Sequence, residues 1–125
     1  MGGEDMLSKQ NRLTKRGSFA YVYRKGASRP DGALRITYVA GKGAPRIGIS
    51  VPNTVGKAVV RNKVRRRIRA AMRGFVPHMR SAQMVVSAKK GAETLSYAQI
   101  CETLRRLLYR SGLYDQKENN AVAHN

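Results

Sequence analysis

Between Lys57 and Arg73 the chain carries Lys57, Arg61, Lys63, Arg65, Arg66, Arg67, Arg69 and Arg73, and no acid. Through the same stretch Val60, Val64, Ile68, Ala71 and Met72 recur at i, i+4, i+8, i+11 and i+12, which is one apolar face of a helix. With about 100° per residue, Arg61, Arg65, Asn62, Arg69, Arg73 and Arg66 sweep from one edge of that stripe around its far side. Guanidinium groups offer a planar fork of donors that matches phosphate oxygens and stacks on bases. A merely solvated helix face mixes both signs and gains i,i+4 pairing, whereas this one has nothing to pair with. Such a face calls for a polyanion. Asn62 adds a different chemistry: its amide both donates and accepts, a combination open to a base or ribose and closed to any Arg.

A second group of residues lies upstream. Lys9, Arg12, Lys15 and Arg16 precede Phe19 and Tyr23. Aromatic faces beside cations suit unpaired bases, each stack contributing about 1–3 kcal/mol. Phe19 with Val22 fits simple core packing equally well. Tyr23 is the better candidate for exposure, since its hydroxyl wants a partner. Nuclease or hydrolase chemistry in the protein itself would need clustered carboxylates, or a nucleophile beside a base. The acids Glu4, Asp5, Asp31, Glu93, Glu102, Asp115 and Glu118 are scattered, and none falls between Gly32 and Ala92. His124 sits near the C-terminus and His78 stands alone. Cys101 falls on the apolar stripe of a helix, so an inert thiol is expected. No metal-ligand spacing and no phosphate-cradling glycine loop is present. A catalytic residue or metal site in the protein is therefore not expected.

These groups need a scaffold, and 125 residues provide for one domain. A formal charge of +18 from 25 Lys and Arg makes nucleic acid the expected partner. No apolar run approaches the roughly 18–20 residues needed to span a bilayer, and no signal-peptide stretch opens the chain. One cysteine permits no internal disulfide. A cytoplasmic protein without a membrane partner is expected.

Residues 1–8 read as a flexible leader, 9–114 as a single RNA-binding domain, and 115–125 as a flexible tail. Thr14 is placed to cap a helix over 15–25, with Gly26 as its left-handed terminator. A short edge strand fits 27–30, because Pro30 cannot serve a central ladder. Residues 34–39 and 46–51 alternate as strands around the turn 41–45. The Arg-rich helix covers 57–73, and 83–88 is a mostly apolar strand. Ser96 and Gln99 form a capping box for a last helix to about Ser111, with Tyr97, Ile100, Cys101, Leu104, Leu107 and Leu108 on its apolar face. The order α-β-β-β-α-β-α describes an α+β sandwich of helices on a small sheet.

The stretch Ala58-Val59-Val60-Arg61-Asn62-Lys63-Val64-Arg65-Arg66-Arg67-Ile68-Arg69 resembles the signature helix of the bacterial ribonuclease P protein family. Asn11-Arg12-Leu13 before the first helix, Phe19 and Tyr23 on it, and Gly48-Ile49-Ser50-Val51 before the Arg-rich helix follow the same order. The resemblance runs from about Asn11 to Tyr114. It implies a fold similar to a domain of ribosomal protein S5, with a left-handed βαβ crossover whose hand cannot be read from sequence. It also implies a partner, the catalytic RNA of ribonuclease P, which hydrolyses precursor tRNA in an RNA active site using Mg²⁺. The family's protein holds the single-stranded 5′ leader and needs no obligate protein partner. Carried over by position, Arg61, Asn62, Lys63, Arg65, Arg66, Arg69 and Arg12 would contact RNA. Phe19, Tyr23, Thr37, Ser50 and Arg65 would line the leader cleft. Two departures stand out. Many relatives carry a cleft aromatic where this chain has Thr37, with Tyr38 one residue on; either the register differs or one stacking contact is absent. A frequent basic pair is replaced by Asn53-Thr54.

Overall fold

A computed structural model of the chain describes residues 7–114. The expected tail and residues 1–6 of the expected leader lie outside the described residues. Leu7 and Ser8 belong to the packed domain. Leu7 is buried in the core, and the Ser8 hydroxyl donates to Asn11 Oδ1 at 2.6 Å.

Seven main elements follow in the expected order: α1 (Arg16–Lys25), β1 (Ala27–Asp31), β2 (Leu34–Ala40), β3 (Arg46–Ser50), α2 (Ala58–Phe75), β4 (Ala82–Ala88) and α3 (Tyr97–Arg110). The strands form one sheet in the order β1-β2-β4-β3. β1 with β2 and β2 with β4 are antiparallel, while β3 and β4 are parallel. Parallel neighbours cannot be joined by a tight turn, so α2 makes the crossover between them. β1 has one neighbour, and an edge is where Pro30 costs no ladder bond.

Period-two alternation sends side chains to two differently covered faces. Leu34 and Ile36 of β2, Ile47 of β3, and Met84 and Val86 of β4 meet Val64, Ile68 and Met72 of α2 and Leu104, Leu107 and Leu108 of α3. Each fully buried aliphatic side chain of this kind contributes roughly 1.5–3 kcal/mol of transfer free energy. On the opposite face, Val22 of α1 packs with Leu13 and Val85, joined by Phe19 and Val39. The result is three layers, with α2 and α3 below the sheet and α1 above it. Ser96 and Gln99 make the expected capping box on α3, with Gln99 N–H donating to Ser96 Oγ and Ser96 N–H donating to Gln99 Oε1.

Three local expectations differ from what is observed. Lys15, not Thr14, stands at the N-cap of α1, and no side chain caps it. Gly26 ends α1 in extended rather than left-handed backbone, at φ −83°. Its glycine is required by proximity instead: a Cβ there would lie 2.5 Å from the Val22 carbonyl oxygen and 2.8 Å from that of Tyr38. Tyr97, expected on the apolar face of α3, is 49% exposed because it occupies the first turn, beyond the end of the core.

Two contacts fix the outer layers. Asp31, at the end of β1, accepts from Arg106 of α3 at 2.9 Å (Nε to Oδ2) and 3.3 Å (Nη2 to Oδ1), with Arg110 Nη1 at 3.6 Å. The Arg106 hydrogen bonds, helped by the positive fields of Arg106 and Arg110, hold the Asp31 carboxyl below its usual range despite partial burial, which acts the other way. On the opposite face, Phe19 lies directly over Gly48. A Cβ on Gly48 would sit 2.5 Å from Cζ and 2.7 Å from Cε1 of the ring.

A carboxylate with a depressed folded-state pKa stabilises the fold above its unfolded pKa, and that contribution disappears as pH falls through the folded value. Asp31→Asn therefore lowers the thermal midpoint at about pH 7, and its midpoint converges on the parent's as pH drops well below about 3.9. Calorimetry across that range checks both halves. Gly48→Ala overpacks the α1 contact and costs about 1–3 kcal/mol in urea unfolding. In a double-mutant cycle, the Gly48→Ala cost shrinks when Phe19→Leu has removed the ring.

Candidate nucleic-acid interface

Position along each strand decides what faces α1. The strand register sets Gly48, Val85, Thr37 and Ser28 in one row across β3, β4, β2 and β1, and α1 runs over that row. Ser50 and Ser87 are paired in the next row, beyond the cover of α1, and both are half-buried. Tyr23 leans toward this row. Its hydroxyl lies 3.3 Å from Ser87 Oγ while the residue stays 48% exposed.

The outer edge of β3 is partly closed by the N-terminal segment. Asn11 is buried and donates from Nδ2 to the Pro45 carbonyl at 2.8 Å, and Leu13 N–H donates to the Ile47 carbonyl at 3.0 Å. Arg12 bridges to Ile47 in parallel fashion, and its Nε donates to the Leu7 carbonyl at 3.0 Å. This short addition to the sheet carries the chain into α1 with Phe19 above β3. From the other side, α2 brings Arg65 and Arg69 to the same edge. Leu13, Phe19, Gly48, Arg12, Arg65 and Arg69 thereby line a groove of about 330 Å³. An aromatic ring, a glycine floor and three guanidinium groups make a setting for an unpaired base with its phosphate.

Along α2 the cations divide by role. Arg65 Nη1 donates to Asn62 Oδ1 at 2.9 Å, so the Asn62 carbonyl orients Arg65 and leaves the amide NH₂ outward. Arg61 Nε donates to the Gly56 carbonyl at 3.1 Å, anchoring the entry to the helix. Lys63 and Arg66 are exposed, and Arg69 is half-buried at the groove. Arg67 turns the other way and donates to the Leu95 carbonyl at 3.0 Å, which ties α2 to the approach to α3. The acids lie elsewhere. Among the described residues Asp31 is engaged by α3, Glu93 accepts from Gly91 N–H at 2.8 Å, and Glu102 rides on α3.

Not every expected cleft residue reaches open surface. Thr37 is on the α1 side but only 4% exposed, covered by the end of α1 and with its hydroxyl 3.5 Å from Ser28 Oγ. Tyr38 points to the other face and packs against the main core. The register is thereby settled: no sheet aromatic stands in this row. Tyr23 lies beside Ser87 and is not part of the Phe19 groove. Asn53 and Thr54 are exposed in a short 3₁₀ turn before α2. Cys101 is half-buried against the core. Gly48 and Ser87 are the residues that the sequence reading did not place in the site. Polar Ser87 in a mostly apolar strand was the available signal for one of them. Among the described residues no group of three or more His, Cys, Asp or Glu side chains is arranged to hold a metal ion.

The family model described as Ribonuclease P matches residues 7–112. The ribonuclease P protein component of Clostridium kluyveri is 33% identical over 107 residues, covering 82% of this chain and 96% of that one. That of Lactococcus lactis subsp. cremoris is 37% identical over 75 residues, 60% of this chain and 64% of the relative's length. The solved RNase P protein of Staphylococcus aureus superposes with a TM-score of 0.78 at 27% identity, covering 83% of this chain and 97% of the other. With its acid-free helix, its groove at β3 and a match over nearly all the described residues, the chain belongs to the ribonuclease P protein family.

Proposed function

We propose that this chain is the protein component of a cytoplasmic ribonuclease P, docking through α2 on the catalytic RNA and guiding the single-stranded 5′ leader of precursor tRNA. The observation that carries this reading is the acid-free guanidinium face of α2 opening directly onto the groove beneath Phe19. Duplex or structured RNA meets Arg61, Asn62, Lys63, Arg66 and Arg12 as a charged surface. An unpaired strand leaving it enters beside Arg65 and Arg69, where a base can stack and its phosphate be forked. Ser50 and Tyr23 continue the path along the sheet face. Bond cleavage belongs to the RNA partner. In this proposal the RNA holds the Mg²⁺ ion, and among the described residues no group of three or more His, Cys, Asp or Glu side chains is arranged to compete for it. The protein neutralises phosphate charge around it and thereby lowers the Mg²⁺ concentration the assembly needs.

Cleavage of a leader-bearing precursor tRNA at low Mg²⁺ by bacterial ribonuclease P RNA tests the reading. Stimulation at the mature 5′ end only when RNA and protein are both present is the expected result. A folded, RNA-binding protein that fails to stimulate, and that instead co-purifies with ribosomal RNA, replaces this function with one in ribosome assembly. Cleavage by RNA-free protein would move the chemistry into the chain.

Neutralising about five phosphates gives a slope of log K against log salt of about −4. Arg65→Ala with Arg69→Ala weakens RNA binding and flattens that slope by about 2. Filter binding across a salt series measures both, and a salt-independent affinity would exclude the electrostatic docking.

A further inference from the structure

We infer that the outward face of α1 is a second RNA-docking surface, shaped to lie on a double-helical segment of the catalytic RNA. The inference rests on the ribonucleoprotein reading above. It adds an anchor on the opposite side of the sheet from α2, turned away from the leader groove.

Helical spacing assigns the face. Val22 is fully buried and points α1 at the sheet. With about 100° per residue, Arg16, Ala20 and Arg24 form a row on the far side of the helix. Gly17, Tyr21 and Lys25 form a second row beside it. All six residues are exposed, Tyr21 by 43%. α1 contains no acid, and among the described residues no side-chain hydrogen bond or ion pair engages Arg16, Tyr21, Arg24 or Lys25. On α2, by contrast, Arg61, Arg65 and Arg67 are each held by a bond within the protein. The cations of α1 have no such internal task.

The first turn of α1 also runs against the preferences of a helix. Lys15 and Arg16 stand at the positive end of the helix dipole with no capping side chain, where further positive charge is disfavoured. Gly17 follows, and glycine is a poor helix residue. A Cβ at this position would meet nothing within 4 Å, and its backbone is not in the left-handed region. Neither packing nor backbone geometry therefore calls for a glycine here. Close approach of an anionic partner accounts for both departures, since it neutralises the cations and uses the missing side chain.

The shape favours a duplex over a single strand. Arg16 and Arg24 are eight residues apart, about 12 Å along the helix axis. Gly17 and Ala20 leave a low saddle between them. A-form RNA presents a wide, shallow minor groove lined by 2′-hydroxyls and bounded by two phosphate backbones. The two guanidinium groups can fork phosphates on either side of such a groove, while the Tyr21 hydroxyl exchanges hydrogen bonds with a 2′-OH. The catalytic RNA is the partner that fits the position. A precursor tRNA is held by its leader at the β3 edge and leaves as product. An RNA gripping both α1 and α2 clamps the sheet between them and stays.

The test is filter binding of catalytic RNA alone, without substrate, by parent, Arg16→Ala/Arg24→Ala and Gly17→Gln proteins. The expected result is that the double variant loses about fivefold to tenfold in affinity with a flatter salt dependence. Gly17→Gln fills the saddle with a better helix former, so it raises the thermal midpoint and still weakens binding, which separates RNA contact from folding. Hydroxyl-radical footprinting of the double variant shows protection lost on both strands of one helical segment. Parent-like affinity of the double variant, or a stabilised Gly17→Gln protein with undiminished affinity, overturns this surface and leaves docking through α2 intact. Protection lost only in unpaired joints, or a defect seen only with precursor tRNA, overturns it as well. A parent protein that fails to bind catalytic RNA overturns the ribonucleoprotein reading and this inference with it.

Discussion

The arrangement of the whole molecule depends on burying one face of a helix whose other face is almost entirely guanidinium. Val64, Ile68 and Met72 are fully buried under the sheet. Because β3 and β4 are parallel neighbours, the helix joining them has to cross on one face of the sheet. The buried stripe then fixes α2 about its own axis. Once the apolar stripe points up, Arg65 and Arg69 are committed to the edge of β3, and Arg67 to the opposite side against Leu95. A polar substitution in the stripe would therefore redirect the guanidinium face through rotation of the helix as well as lower stability. Hydrophobic burial aims the charges.

Charge of one sign concentrated on one helix is costly to a free protein, and the remaining residues manage the cost by segregation. Asp31, Glu93 and Glu102 gather around α3 and its approaches, each able to offset cations there. The α1 side and the exposed face of α2 keep their full positive potential. This distribution gives the molecule an electrostatic direction: a polyanion is drawn to the β3 edge and has little reason to settle on α3. In the docked state it also relieves the repulsion that the bare helix carries, so stability and binding are linked.

Most of the architecture was legible because its signals are periodic. The stripe of α2, the capping box of Ser96 and Gln99, the alternation of β2 and the edge position of Pro30 each follow from a local rule that the tertiary structure did not overrule. Contacts between elements were not legible in this way. Gly26 carries no local sign that two carbonyl oxygens will lie within 2.8 Å of its missing Cβ, so a left-handed terminator was the natural expectation. Gly48 likewise reads as one residue in a strand until α1 arrives above it. Of the candidate site, the Arg-rich face was visible in spacing alone, whereas the groove exists only because Leu13, Phe19 and Arg65 come together from three separate segments.

The one-residue offset between Thr37 and Tyr38 shows how sharply a sheet enforces such choices. Alternate residues point to opposite faces, so an aromatic moved by one position leaves the α1 side altogether. In this chain Tyr38 packs half-buried against the core and Thr37 lies beneath the end of α1. On the α1 side the sheet therefore presents hydroxyls, and the aromatic surfaces come from the helix, with Phe19 over β3 and Tyr23 beside Ser87 of β4. The position of these rings depends on how α1 is seated, and the glycine beneath Phe19 lets α1 come close to the sheet. A side chain at Gly48 would displace the Phe19 ring from the groove it shares with Arg65 and Arg69, so the packing of α1 on the sheet shapes that groove.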